Sequence, residues 1–487
     1  ATGFYDAVGN DSNSTQRTHL DWRARQRNSV VDGGVVGAQW TFLDMYVDGR
    51  FTINDRNVNL RIGNQVLNWG EAVFNPGGIN STSAFDVSKL RIPGSELREG
   101  LVPAPMIRVS GDIAPNLGLE AYYQLYWNRT NVDPVGSYWS TSDLVGEGAE
   151  GLFYGKDPGG SGVSWNQLID QGMGLPKRQD SKPSEQGQLG VATRYYWDRI
   201  LTEFGLYYVR YHSKTPSVGY VAQMGTPRAW FRQYADEVSL VGTSFAREIL
   251  SATLAGEVAY VWGDPTPIVS AGEAMAASIR AMRQGNMGPV TARGYNRDER
   301  MQVAVNLLQI FGPGTRWGVG QLVESSRADN FTLLSEVAVA HYVDMERQCS
   351  TPFQPFFDAQ QGKLSNCVAY AGSGPPDGDA MIQGSFPLKS DINTTSAGYQ
   401  MFLRGEYSNP LDIPITVNPT FGWKHDFHGT TGNGTFLENR KAVSLGVTFD
   451  YLQVYGLGLT YGNFFGGGRN HLVRDRDFVS MSFTYRL

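Results

Sequence analysis

The chain has 487 residues, 41% hydrophobic and 18% charged, with a formal net charge of −6. That length allows two or three ordinary domains or one large repetitive one, and the acidic balance argues against a nucleic-acid surface, which needs a basic excess. No run approaches the 18 or so uncharged apolar residues of a membrane-spanning helix, and 11 Trp, 24 Tyr and 24 Phe are too much apolar surface for a disordered chain.

The chain opens Ala1-Thr2-Gly3 without a basic or apolar leader, as expected after removal of a secretory signal. From there, alternation of apolar and polar residues with period two marks strand after strand. Sixteen strands are predicted, near 18–27, 38–53, 57–66, 105–113, 117–128, 187–198, 202–212, 237–246, 250–262, 300–311, 331–343, 397–407, 413–427, 439–450, 453–465 and 474–487. Leu117, Leu119, Ala121, Tyr123, Leu125 and Trp127 alternate with Gly118, Glu120, Tyr122, Gln124, Tyr126 and Asn128. Near the end, Val479, Met481, Phe483 and Tyr485 alternate with Ser480, Ser482 and Thr484. The apolar face repeatedly ends in an aromatic residue, the pattern of the girdles that flank the apolar band of a transmembrane β-barrel.

The connections alternate in length. Short ones fall at 54–57, 114–116, 197–200, 246–249, 409–412 and 451–453; long ones cover 67–104, 129–186, 213–236, 263–299 and 344–396. Outer-membrane barrels have short periplasmic turns and long extracellular loops, and an even strand count puts both termini in the periplasm. The expected fold is therefore one all-β domain over 1–487, a transmembrane antiparallel barrel of about 16 strands (14–18). A strand-like stretch at 316–323 strains the count, because it falls in a periplasmic connection. Soluble propellers and sandwiches also alternate, but they need neither aromatic girdles nor one-sided loop lengths.

About half the chain is loop, so the loops are expected to fold inward and restrict the lumen. Residues 271–284 read as a helix with Met275, Ile279 and Met282 on one stripe. Packing against neighbouring loops is the ordinary use of that stripe, and ligand contact the sharper one. Cys349 and Cys367 are read as a disulfide closing a loop in an oxidising compartment. Phe353, Phe356 and Phe357 form an apolar knot beside it, either the loop's own small core or a contact surface for a hydrophobic ligand.

The predicted inward faces carry Asp44, Asp48, Glu120, Glu257, Glu336 and Glu406 against Arg50, Arg61, Arg108, Arg194, Arg404, Lys424 and Arg486. Six against seven selects neither anions nor cations, and cross-strand ion pairs are the expected use of most of them. Signals for chemistry are weak. His425-Asp426-Phe427-His428 is the only histidine cluster, and on a strand its two imidazoles point to opposite faces. No Ser/His/Asp constellation or phosphate-binding glycine loop can be assembled. The reading is non-enzymatic, with no cofactor, no metal and no nucleic-acid partner.

Arg61-Ile62-Gly63-Asn64-Gln65-Val66-Leu67-Asn68-Trp69-Gly70-Glu71, followed by Asn75-Pro76-Gly77-Gly78 and Pro103-Ala104-Pro105, resembles a large proteobacterial family of outer-membrane proteins known only as a domain of unknown function. The terminal Phe483-Thr484-Tyr485-Arg486-Leu487 resembles the barrel-assembly signal, with Leu in place of the usual final Phe. The resemblance implies an outer-membrane address, contact with outer-membrane lipids, and passage of hydrophobic or lipid-like molecules in concert with a periplasmic carrier or an inner-membrane pump. The expected function is a channel or transporter for hydrophobic or amphipathic small molecules or lipids. A general diffusion porin for polar solutes and a structural, partner-binding subunit of an envelope assembly are the alternatives.

Overall fold

The computed structural model describes residues 2–5, 38–41, 44–90, 100–135, 138–142, 144–149, 151–153, 174–267, 270–315, 319–343, 357–358, 363–364, 393–468 and 471–485. Its centre is one antiparallel meander of fifteen strands. In chain order these are β1 (Met45–Ile53), β2 (Arg56–Gln65), β3 (Ala104–Ala114), β4 (Leu117–Gln124), β5 (Gln188–Trp197), β6 (Thr202–Tyr211), β7 (Val238–Ile249) and β8 (Ala252–Pro267). They continue as β9 (Tyr295–Phe311), β10 (Asn330–Tyr342), β11 (Thr395–Ser408), β12 (Ile415–His428), β13 (Arg440–Tyr451), β14 (Tyr455–Gly466) and β15 (Phe478–Tyr485). Each strand pairs with its neighbours in sequence, so sequence order is also spatial order.

Fifteen of the predicted strands have a counterpart in this ladder; the one at 18–27 lies outside the described residues. Three expectations are corrected. The strand expected over 38–53 is divided: Ala38–Thr41 pairs with Thr2–Tyr5 in a separate ribbon, and only Met45–Ile53 joins the wall. The turn expected at 246–249 sits later, because Ile249 still pairs with Ala252 and Leu250 takes the left-handed conformation, φ 58°. The strand-like 316–323 stretch gives way to a helix, α2 (Val319–Ser326), in which Val319, Leu322 and Val323 recur at helical spacing.

Turn chemistry fixes one end of the sheet. Asn54 and Asp55 both have positive φ, as do Leu452 and Gln453, the geometry of a two-residue turn matched to strand twist. These short connections share one end with the α2 segment, and every long loop leaves from the other.

Alternation then sorts the faces. Leu206, Val258, Val305, Val337, Leu445 and Leu459 are exposed on one face with no second protein layer among the described residues over them. An apolar face left open in this way is the pattern of the lipid-facing side of a transmembrane barrel. Trp197 packs by Phe204, and Tyr455 by Tyr451 and Tyr485, at its short-turn edge. At the long-loop edge Trp423 Nε1 donates to the Tyr399 hydroxyl at 3.1 Å.

The opposite face is enclosed. Trp69 bonds to β4, and Asn75, six residues on, reaches Gln400 on β11. Laid flat, these strands would lie about 34 Å apart, seven spacings of roughly 4.8 Å. Six residues span at most about 21 Å, and wall side chains, standing perpendicular to the sheet, add little sideways reach. The Trp69 and Asn75 side chains lengthen that reach, but bends at residues 70, 71, 73 and 74 keep the segment well short of full extension, so the sheet curls around it.

Candidate functional site

The segment inside the curl is 69–80, and backbone groups hold it. Glu257 on β8 accepts the N–H groups of Glu71 (2.6 Å), Ala72 (3.1 Å) and Ile79 (3.0 Å). Glu336 on β10 accepts those of Val73 (2.5 Å), Phe74 (3.3 Å) and Asn75 (2.9 Å), and the Asn75 side-chain amide at 2.7 Å. Between them β9 grips the segment's carbonyls. Arg300 donates to Gly77 O at 2.8 Å, Gln302 to Pro76 O at 3.4 Å and Asn306 to Glu71 O at 2.5 Å. Arg300, almost fully buried, is itself neutralised by Asp264 at 2.9 Å. Charge-assisted bonds of this kind are the strong ones, and a plug carrying so many otherwise orphaned backbone groups needs them.

The glycines of the segment are a steric requirement. Gly70 has φ +84°, and a Cβ there would lie 2.4 Å from Glu257 Oε2; one on Gly78 would lie 2.0 Å from Oε1. The carboxylate sits in the space those side chains would fill. The wall is also hollowed where the plug's large side chains press. Trp69 packs on Tyr122 and Tyr207 and donates from Nε1 to Glu120 at 2.7 Å. A Cβ on Gly190 would meet the Trp69 ring at 2.8 Å, and one on Gly242 would meet Ile79 at 2.5 Å.

A second inward loop comes from the 429–439 connection. Phe436 is fully buried with Ala304, Ala338 and Ala340 on the inner wall and with Ala72 of the plug. The sequence reading missed it, because an eleven-residue connection does not stand out among much longer loops. The available signal was an apolar Phe436-Leu437 pair in an otherwise polar turn.

Above the plug the long loops build a canopy. A hairpin, Ser217–Gln223 with Thr226–Gln233, takes Val290–Ala292 as a third strand and packs under α1 (Ser270–Arg283). Val135, Leu144, Leu175, Tyr220, Trp230 and Ala274 form its core, with Met275 packed against it. Ile279 lies under the Gly225 turn, and Met282 is half-buried. Buried Arg232 ties the canopy together through Asp180 (2.6 Å) and the carbonyls of Val145 and Gly146. Burial opposes ionisation of Asp180, yet Arg232 and Lys177 hold its carboxyl below the usual carboxylate range.

The loop after β4 crosses to the far end of the sheet. Trp139 stacks edge-on against Phe464 on β14 (5.9 Å) and Phe478 on β15 (5.5 Å). The Tyr138 hydroxyl donates to Asp477 O at 3.2 Å.

On the short-turn side of Trp69 lies a cavity of about 590 Å³ lined by Arg50, Asn57, Asn59, Asp112, Glu120 and Arg194, among others. Glu71 stands near its charges. Burial, then Glu203 and Glu257, push its carboxyl up to about 7.

The candidate lumen residues thus divide by partner. Arg61 pairs with Asp48 at 2.9 Å, Arg108 with Glu120 at 2.8 Å, and Arg194 with Glu120 at 3.6 Å. Glu257 and Glu336 hold the plug instead of pairing with arginines. Arg404 is held by the Asn418 side-chain oxygen at 2.8 Å, and Glu406 accepts from Asn330 at 3.3 Å. Asp44 is exposed just before β1. Cys349, Cys367, Phe353, Phe356 and Arg486 lie outside the described residues, and of Phe357 only the backbone, paired with Leu364, is described.

Solved structures similar to this one include the Pseudomonas aeruginosa channel OccK1 (OpdK), at TM-score 0.35 and 13% identity over 89% of this chain and 77% of that one. The Acinetobacter baumannii outer-membrane channel DcaP gives 0.31 and 10% over 94% and 90%. A BenF-like porin from Pseudomonas fluorescens Pf-5 gives 0.34 and 8% over 88% and 75%. These likenesses are too loose to argue from, and the strand ladder itself carries the fold. No curated protein matches the chain by sequence. The Trp-Gly-Glu and Asn-Pro-Gly-Gly runs that carried the family resemblance are the two halves of the plug, and the match extends well past them: across residues 1–487 the chain belongs to DUF1302, a family of proteins of unknown function.

Proposed function

We propose that this protein is an outer-membrane channel whose lumen is obstructed by the 69–80 plug, and that it passes amphipathic small molecules rather than serving as a free diffusion pore. The observation that carries this reading is the double carboxylate grip, Glu257 and Glu336 together taking six backbone N–H groups of one inward segment. An open pore has no use for such a lock across its lumen. Support for amphipathic cargo is the pairing of a polar cavity lined by Arg50, Asn59 and Arg194 with aromatic side chains at the opposite mouth, Trp139, Phe464 and Phe478. In this reading the short-turn end, where β15 finishes, faces the periplasm, and a periplasmic carrier or a pump would meet the cavity there.

Conductance in planar bilayers tests it. The wild type is expected to show small or closed states, and a Glu257→Ala/Glu336→Ala variant markedly larger steps. Steady large openings of the wild type at neutral pH would overturn the plugged channel in favour of a diffusion porin.

A further inference from the structure

The inward charges of the wall are nearly all spoken for. Arg61, Arg108, Arg194, Arg300 and Arg440 each contact a carboxylate, and Glu257 and Glu336 are saturated by the plug. Lys424 on β12 differs. It stands opposite Gln400 on β11, which itself lies opposite Glu336, so all three share the lumen face. Among the described residues its ammonium makes no hydrogen bond or ion pair. Asp426, two positions along on the same face, is taken by Arg440 and by the Leu437 N–H at 3.0 Å. A half-buried ammonium offers three donors and is costly to leave unmatched.

The neighbouring strands show what could match it. Lys424 lies opposite Ala442 on β13, which lies opposite Phe464 on β14. At one depth of the lumen the wall thus presents a cation, a methyl group and an aromatic ring, the outer two about 10 Å apart across two strand spacings. Phe464 is joined by Phe478 at 6.5 Å and by Trp139.

We propose that this row is a binding site for an anionic amphiphile, the oxyanion (carboxylate or phosphate) on Lys424 Nζ and the apolar body against Phe464, Phe478 and Trp139. The site rests on the channel reading, because it names the class of molecule that would use the lumen.

The test is isothermal titration calorimetry on the full chain in phosphatidylcholine nanodiscs with three probes: 4-phenylbutyrate, 4-phenylbutyl phosphate and 4-phenylbutyltrimethylammonium. Both anions are expected to bind more tightly than the cation. Lys424→Gln should weaken the anions at least about tenfold, the loss of one charge-assisted contact, while Lys424→Arg retains them. Phe464→Ala should weaken all three probes. The ratio of the two anion affinities identifies whether carboxylate or phosphate is the natural head. Equal binding of the cation, or unchanged anion affinity in Lys424→Gln, overturns the proposal. Efflux of the same probes from proteoliposomes is read separately: binding without efflux removes the channel reading and leaves the site, and efflux indifferent to Lys424→Gln does the reverse.

Discussion

Glu336 holds Asn75 twice, through its backbone N–H at 2.9 Å and its side-chain amide at 2.7 Å, although 261 positions separate them. One carboxylate on the wall thereby fixes both the path and the orientation of the plug's tip. Replacing Glu336 by Gln keeps the shape but turns one acceptor oxygen into a donor facing N–H groups. The expected cost to plug docking is about 2–4 kcal/mol, the range for charge-assisted bonds and an unsatisfied buried donor. Hydrogen exchange at Val73, Phe74 and Asn75 should accelerate by about thirtyfold to nearly a thousandfold, the same cost converted at 1.4 kcal/mol per decade; unchanged protection would deny Glu336 its locking role.

The hollow under Ile79 makes a paired prediction. Gly242→Ala places a methyl 2.5 Å from Ile79 Cγ1, an overpacking expected to cost about 1–3 kcal/mol. Ile79→Ala alone removes a buried side chain at roughly 2–5 kcal/mol. Combined, they should cost less than their sum, because each relieves the other's fault. Strict additivity in thermal or denaturant unfolding would place Ile79 elsewhere.

Glu71 sets a pH dependence. Its carboxyl is raised from an ordinary 4.5 to about 7, mainly by burial, so the docked state binds more protons than the released one. By linkage this group favours docking at low pH, and its contribution is lost as pH rises between about 4.5 and 7. Glu71→Gln mimics the protonated form. It should match the wild type near pH 4 and exceed it by roughly 1–2 kcal/mol near pH 8, after allowing for solvent screening. Parallel stability curves for the two proteins across this range would remove Glu71 from the account.

The canopy should fail independently of the wall. Arg232→Ala strips two carbonyls of their donor and leaves Asp180 with Lys177 alone at 3.4 Å, and breaking a buried pair costs about 3–5 kcal/mol. Limited proteolysis is expected to cut within 129–186 and 213–236 first while the strand ladder survives. Simultaneous loss of both would show that canopy and wall unfold as one unit.

The strand ladder was legible because alternation is a local signal repeated many times, and a sheet with one apolar and one polar face must obey it at every strand. Glu120 paired with Arg108 across adjacent strands fits the same logic. The plug was less legible. Glu257 and Glu336 looked like ion-pair partners, yet their partners are backbone N–H groups, which every residue but proline carries and no side-chain pattern reveals. The α2 segment misled for another reason: Trp317, Val319, Gln321 and Val323 suit a two-residue period while Val319, Leu322 and Val323 suit a helical one, and a run that short fits both.

The hollows at Gly190 and Gly242 seat Trp69 and Ile79, and the alanines at 304, 338 and 340 seat Phe436. Knobs set in hollows come free only by lifting clear, so the plug cannot creep along the wall by degrees. Detachment would then be abrupt, and a docked plug and a released one would exchange as two discrete populations with little in between.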